Sequence, residues 1–308
     1  MIAQRKAMPP PFLPITHVVC DCDGVLVDSE SVAYVALLHA LSTRLQYGDL
    51  AQAIQQRLGL TIDVLIAQVS ALAGVHFAEA DIAAMRSYVE SEVRARQVAV
   101  PGIADALKEI GLPVAVASNS SLMRVREAVI CSGVGPYVGD RLFTADVVGV
   151  PKPAPDIYLA ACAGFTDNNA KPAPTPATCL AVEDSVAGVR AAVSAGLQVL
   201  GFAGGSHISA GPGGAAHLTQ HVQTLRNAGA LAVFDDMRAL PGIVVALQNR
   251  AQRSLVQVDA QHEAQIEGQG DAQGEAQQDR PHYLDRAGLI RLEEVLSDAS
   301  SSRIYDLT

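Results

Sequence analysis

Between residues 101 and 236, short β-branched runs alternate with helical stretches, and this alternation limits the possible folds more than any other feature of the chain. The predicted strands are PVAVASN (113–119), DRLFTAD (140–146), TCLAVED (178–184), LQVLGFAG (197–204) and ALAVFDD (230–236). Between them lie the helical patterns ADALKEIG, SLMRVREAVICSG, DIYLAACAG and SVAGVRAAVSAG. An earlier buried strand is read in ITHVVCDCDG, a short apolar run that ends in Asp and Gly. Strands alternating with helices call for an α/β fold with a parallel sheet and right-handed crossovers. In such sheets ligands bind at the carboxyl ends of the strands.

One segment breaks the alternation. From Glu30 to Gln97 the chain is dominated by Ala, Leu, Gln and Arg, lacks proline, and is punctuated only by Gly48, Gly59 and Gly74. This predicts an all-helical insert over 30–97, with 15–29 and 98–247 forming the α/β core. The Pro-rich stretch 166–178 reads as a surface connection. Residues 249–308 differ in composition, with a carboxylate recurring every fourth position from Asp259 to Asp279. Like charges at that spacing oppose a helix, and Gly268, Gly270 and Gly274 oppose it further. The segment is expected to be a solvated, disordered tail, with a short amphipathic helix over 283–298.

Charge separates the tail from the rest. The 308 residues carry 32 acidic and 22 basic side chains, a formal net charge of −10, and the tail holds 11 of the acids against 6 basic groups. This balance argues against a nucleic-acid or anionic-membrane partner. No apolar run approaches the roughly 20 residues of a membrane span, nor does the N-terminus read as a signal peptide. Five cysteines without a CxxC spacing (Cys20, Cys22, Cys131, Cys162 and Cys179) read as reduced thiols of a cytoplasmic protein. A partner for the tail stays open.

Four groups of polar residues stand at or just after predicted strand ends. Asp21 and Asp23 flank Cys22 ahead of Gly24, so one carboxylate can attack while the other handles a proton, provided a cation offsets their repulsion. Alone, the string could equally be a strand-ending turn. Ser118 and Asn119 can hold phosphoryl oxygens or cap a helix. Lys152, between two prolines, can neutralise a carboxylate and a phosphate or be an ordinary surface lysine. Glu183 and Asp184 are candidates for a hard cation such as Mg²⁺, though Asp184 and Ser185 also suit a helix start. Cys20 and Cys22 read as small apolar fillers, His207 as structural, and Asp28 and Glu30 as braces for the turn and the next helix.

The order Asp-x-Asp, Ser, Lys, Glu-Asp, each at a strand end, resembles the haloacid dehalogenase-like hydrolase superfamily over residues 15 to about 245. The helical insert resembles the small-cap subfamily, which includes phosphoglycolate phosphatases, sugar-phosphate phosphatases and β-phosphoglucomutases. The resemblance implies a Rossmann-like parallel-sheet core with an inserted helical cap. It implies Asp21 as nucleophile through an aspartyl-phosphate, and Asp23 as general acid and base. Ser118, Asn119 and Lys152 would bind the phosphoryl group, and Gly59, Leu60 and Thr61 would form a cap loop facing the substrate. Mg²⁺ would be held by Asp21, the Asp23 backbone carbonyl, Asp184 and Glu183. The expected activity is Mg²⁺-dependent hydrolysis of a small phosphorylated metabolite, such as 6-phosphogluconate or phosphoglycolate. The alternative is a phosphomutase. It is disfavoured because Ile62 stands where β-phosphoglucomutases carry an arginine, and Ala33 where they carry a histidine. Arg57 lies near the cap loop and could contact an anionic substrate, although a solvated helix residue is the simpler reading.

Overall fold

The computed structural model describes residues 13–46, 48–55, 57, 61–165, 173–209 and 214–253, with the backbone of Ile304–Tyr305. Its centre is a seven-stranded sheet. Strand β1 (His17–Cys20) lies between β2 (Val114–Ser118) and β4 (Cys179–Glu183); β3 (Leu142–Thr144) flanks β2 on one side. On the other side follow β5 (Gln198–Phe202), β6 (Ala232–Phe234) and β7 (Ile304–Tyr305). Strands β1 to β6 pair in parallel and β7 is antiparallel to β6. The chain builds outward from β1 to β3, then returns to place β4 on the other side of β1. That reversal opens a crevice at the carboxyl ends of β1 and β4, where open α/β sheets bind ligands.

Strands buried on both faces are rich in apolar residues throughout, as VAVAS and CLAVE show. Their period of two sorts the core into two layers. Val18, Val114, Val116, Leu180, Val182 and Phe202 face one cluster. Val19, Ala115, Ala117, Ala181 and Val199 face the other. Helices α5 (Ile103–Ile110) and α6 (Leu122–Ser132) and a helix over 240–253 cover the first face. Helices α9 (Asp156–Ala163), α10 (Val186–Ser194) and α12 (Gly214–Ala228) cover the second. Short helices α7 (Gly135–Val138) and α8 (Ala145–Val148) flank β3, and α11 (Ser206–Ser209) follows β5.

Between β1 and α5 run four helices: α1 (Glu30–Ser42), α2 (Leu50–Gln55), α3 (Ile62–Leu72) and α4 (Glu79–Arg96). They bury a hydrophobic cluster of their own, including Leu37, Leu41, Ile54, Ile66, Met85 and Val89. Asp28 fixes the entry to this segment. Its Oδ1 accepts from the Ser31 hydroxyl at 2.7 Å, and its Oδ2 accepts from the Ser206 backbone N–H at 3.3 Å, tying α1 to α11. Burial alone would push its carboxyl up, but these hydrogen bonds hold it below the usual carboxylate range.

Three local expectations need correction. The strand predicted over 140–146 is only Leu142–Thr144, because Ala145 starts α8 and the Thr144 hydroxyl donates to Asp146 at 2.5 Å. Ser118 and Asn119 do not cap α6; Ser121 does, accepting from the Arg124 N–H at 3.4 Å. The segment beyond 249 does not lie wholly outside the packed structure. The helix from 240 continues to 253, and Ile304–Tyr305 joins the sheet. The helix expected over 283–298 and the acidic repeat fall outside the described residues. So does most of the 166–178 connection.

Candidate active site

Seven of the predicted site residues converge at the carboxyl ends of β1, β2 and β4 and on the loop before α9. Asp21 continues β1, with its N–H donating to the Val182 carbonyl at 2.9 Å. Beyond it the chain folds back sharply: the Leu26 N–H reaches the Cys22 carbonyl and the Gly24 N–H reaches that of Val27. Gly24 is required here on two counts. Its φ is 80°, and a Cβ would lie 1.7 Å from a carboxylate oxygen of Asp184. This close approach brings the β1 turn against the end of β4.

Lys152 is the hub of the site. Its Nζ donates to Asp21 Oδ1 at 2.5 Å, to Glu183 Oε1 at 2.5 Å and to the Ala117 carbonyl at 2.8 Å, so all three ammonium donors are used. Asn119 holds the lysine backbone, its Oδ1 accepting from the Lys152 N–H at 2.8 Å and its Nδ2 donating to the Lys152 carbonyl at 3.3 Å. Ser118 Oγ accepts from the Ser120 N–H at 3.0 Å, which shapes the turn after β2. Glu183 is fully buried. Its Oε1 also accepts from the Tyr158 hydroxyl at 2.6 Å, and its Oε2 from the Ser185 N–H and hydroxyl. Oε1 therefore orients Lys152, while Oε2 is held by Ser185. Gly188 leaves room for that carboxylate, since a Cβ there would lie 1.8 Å from Glu183 Oε1.

The charges in this cluster do not balance. Oxygens of Asp21, Glu183 and Asp184 lie within 4.8 Å of one another, against the single ammonium of Lys152. Burial pushes Asp21 up to about 8, opposed by Lys152 and reinforced by Glu183. Burial also raises Asp184 well above the usual range, aided by Asp21 and Glu183. Burial disfavours the Lys152 charge, but the two carboxylates more than compensate and hold it above its ordinary value. Crowded oxygen donors of this kind are the ligand set that a hard divalent cation takes.

Asp23 faces a different set of partners. Its Oδ1 accepts from the Ser29 hydroxyl at 2.6 Å and from Arg124 Nη2 at 3.0 Å, and its Oδ2 from the Ser120 hydroxyl at 2.6 Å. Glu30, at the start of α1, is pushed up to about 7 by burial, with Asp23 and Asp28 adding to the rise.

Among the other candidates, Thr61 is exposed at the start of α3 and makes no capping hydrogen bond. Gly59, Leu60 and the His207 side chain lie outside the described residues. Arg57 Nη1 donates to the Ala53 carbonyl at 2.8 Å. Cys20 and Cys22 are fully buried, and burial pushes the Cys20 thiol up to about 12, so neither is a nucleophile. Sequence reasoning missed Ser29, Ser120, Arg124 and Tyr158. A signal existed for Arg124 alone, a basic residue one turn beyond the Ser118 strand end.

A carboxylate beside a buried lysine and further acids, at the switch point of a parallel sheet, defines an α/β enzyme site for an anionic substrate. The sequence profile of the haloacid dehalogenase-like hydrolases matches residues 15–196, and the chain belongs to that family. It is 27% identical over 197 residues to the 6-phosphogluconate phosphatase of Escherichia coli K12, covering 63% of this chain and 85% of that protein. A haloacid dehalogenase-like protein from Agrobacterium tumefaciens C58 superposes with a TM-score of 0.65 at 28% identity, over 76% of this chain and 99% of that one. A hydrolase of the family from Deinococcus radiodurans R1, with bound phosphate and sodium, gives a TM-score of 0.61 at 25% identity, over 76% and 96%. The chain is thus an enzyme of the hydrolase class, similar to phosphatases of its family. No helix among the described residues is long and apolar enough to cross a membrane.

Proposed function

We propose that the chain is a divalent-cation-dependent phosphatase of small phosphorylated metabolites, with sugar phosphates and sugar-acid phosphates as its substrate class. The observation that carries this reading is the cluster of Asp21, Glu183 and Asp184 around Lys152. Support comes from the similarity to a 6-phosphogluconate phosphatase and to a hydrolase with bound phosphate.

Asp21 attacks the phosphorus in line and carries the phosphoryl group as an aspartyl-phosphate. Lys152 aims its carboxylate and offsets the charge of the incoming phosphate, while Ser118 and the turn at Asn119 receive phosphoryl oxygens. Asp23 protonates the leaving oxygen and then takes a proton from the hydrolytic water. Mg²⁺, when bound, supplies charge neutralisation between nucleophile and phosphate. Asp21, Asp184 and the Asp23 carbonyl would hold it, and Glu183 contributes its charge. Helices α1–α4, with the loop at Thr61, form the cap that excludes bulk water.

The test is phosphate release from a panel of phosphorylated metabolites, with and without Mg²⁺. Release from at least one substrate only when the cation is present is expected; none from any of them overturns the reading. Asp21→Asn is expected to abolish turnover while phosphate analogues still bind. Transfer of phosphate between positions of one sugar without net release would establish a mutase instead.

A further inference from the structure

Among the described residues Arg124 is the basic side chain paired with Asp23, and the role of Asp23 leaves its guanidinium partly unexplained. Two hydroxyls already hold Asp23 in place, Ser29 on Oδ1 and Ser120 on Oδ2, both at 2.6 Å. Arg124 adds one bond at 3.0 Å through Nη2. Its Nη1 is buried and has no hydrogen-bond partner among the described residues. The side chain as a whole stays 16% exposed, so it lies at the rim of the site and not in the core. A buried guanidinium N–H without an acceptor is costly, and folded proteins rarely leave one so unless water, an ion or a ligand completes it.

Its position decides which ligand. Arg124 lies on the first turn of α6, just past the turn at Ser118 and Asn119 where the phosphoryl oxygens are received. In the phosphatase reading Asp23 serves the leaving oxygen, so a group bonded to Asp23 lies close to where the leaving group must be. Asp23 is the acid that pairs with Arg124; Glu127 on the same helix pairs with Arg94, and Asp146 accepts from Thr144 and the Leu122 N–H. Arg57, the basic residue singled out from the sequence, donates within its own segment through Nη1. Its Nε is buried without a partner among the described residues, where it forms no hydrogen bond or ion pair with Asp21 or Asp23.

We propose that Arg124 is a substrate-selecting residue that binds a second anionic group, a carboxylate or a second phosphate, on the leaving group of the phosphomonoester. This rests on the phosphatase reading above and narrows it to doubly anionic substrates. A planar guanidinium suits either anion because it presents paired donors to two oxygens.

The experiment compares kcat/KM for matched pairs in wild type, Arg124→Ala and Arg124→Lys. Phosphoglycolate is set against ethylene glycol monophosphate, 6-phosphogluconate against glucitol 6-phosphate, and fructose 1,6-bisphosphate against fructose 6-phosphate. The first two pairs report a carboxylate and the third a phosphate. Wild type is expected to prefer the doubly anionic member of at least one pair by about 10- to 100-fold, the size of one charge-assisted contact. Arg124→Ala is expected to bring that ratio close to one, with Arg124→Lys in between. Using a ratio cancels any general loss of folding or acid catalysis. Should a variant lose turnover altogether, the same ratio is read from dissociation constants in an Asp21→Asn background. No preference in wild type, or a preference that survives Arg124→Ala, overturns the proposal. Absence of hydrolysis with every member would instead count against the phosphatase reading.

Discussion

At the level of single residues, the site depends on one ammonium serving two carboxylates. Lys152 side-chain exposure is 3%, and that of Glu183 is zero. Removing the lysine strands Glu183 with only neutral donors and leaves Asp21 beside it. Breaking a buried pair in this way costs about 3–5 kcal/mol, well above the worth of an exposed ion pair. Lys152→Met is therefore expected to lower unfolding free energy by about that amount in urea denaturation at neutral pH, with turnover abolished. A loss below about 1 kcal/mol would mean that the Glu183 charge is met by other groups. Tyr158 shares the Glu183 oxygen with Lys152 and sits 5.0 Å beneath the ammonium, yet nothing in DIYLAACAG marks it as a site residue. Its role arises because α9 packs over β2 and β3 on the sheet face that Cys179 and Ala181 of β4 also face. Asp23 and Arg124 are likewise 101 positions apart. Contacts of this kind depend on side-chain reach across packed elements, which spacing along a chain does not encode.

At the level of elements, the strands and their ends were readable because each announces itself locally. A run such as VAVA or CLAV is apolar throughout, and the first polar residue after it marks the carboxyl end of the strand. Thus Asp21, Ser118 and Glu183 could all be placed from composition alone. The strand expected over 140–146 is too long because nothing in the apolar pattern marks where it stops, and the Thr144–Asp146 bond that turns the chain is a local side-chain effect. Glycine gives the tightest element-level constraint. Helix α10 starts close against β4 because Gly188 has no side chain where Glu183 must lie. Gly188→Ala is expected to displace that carboxylate and, through it, Lys152. The predicted result is at least a tenfold loss of kcat with a smaller change in stability than Lys152→Met causes. Unaltered turnover would show that the carboxylate has room to move.

At the level of the whole molecule, acidity sets how stability should respond to pH. Asp21 rises from 3.8 to about 8 and Glu30 from 4.5 to about 7 on folding. The native state then holds these protons more tightly than the unfolded chain, so their contribution is complete below pH 4 and is lost as pH climbs through about 8. A divalent cation held by this cluster would replace the proton at Asp21 and reverse that loss. Melting temperature is expected to fall between pH 6 and pH 8.5 without metal, and to fall less or rise with millimolar Mg²⁺. Equal slopes in both conditions would refute cation binding at this cluster. The sheet's order of assembly adds a constraint of another kind. Strand β7 caps β6, yet about 70 residues separate them in the chain. At about 5–20 residues per second, ribosomal synthesis leaves the free side of β6 bare for several seconds after it emerges. Its backbone donors and acceptors are available in that interval to any passing extended segment. The vulnerable period for mispairing in a crowded cell thus falls between the birth of β6 and that of Tyr305, when every residue of the acidic cluster and its lysine has already been made.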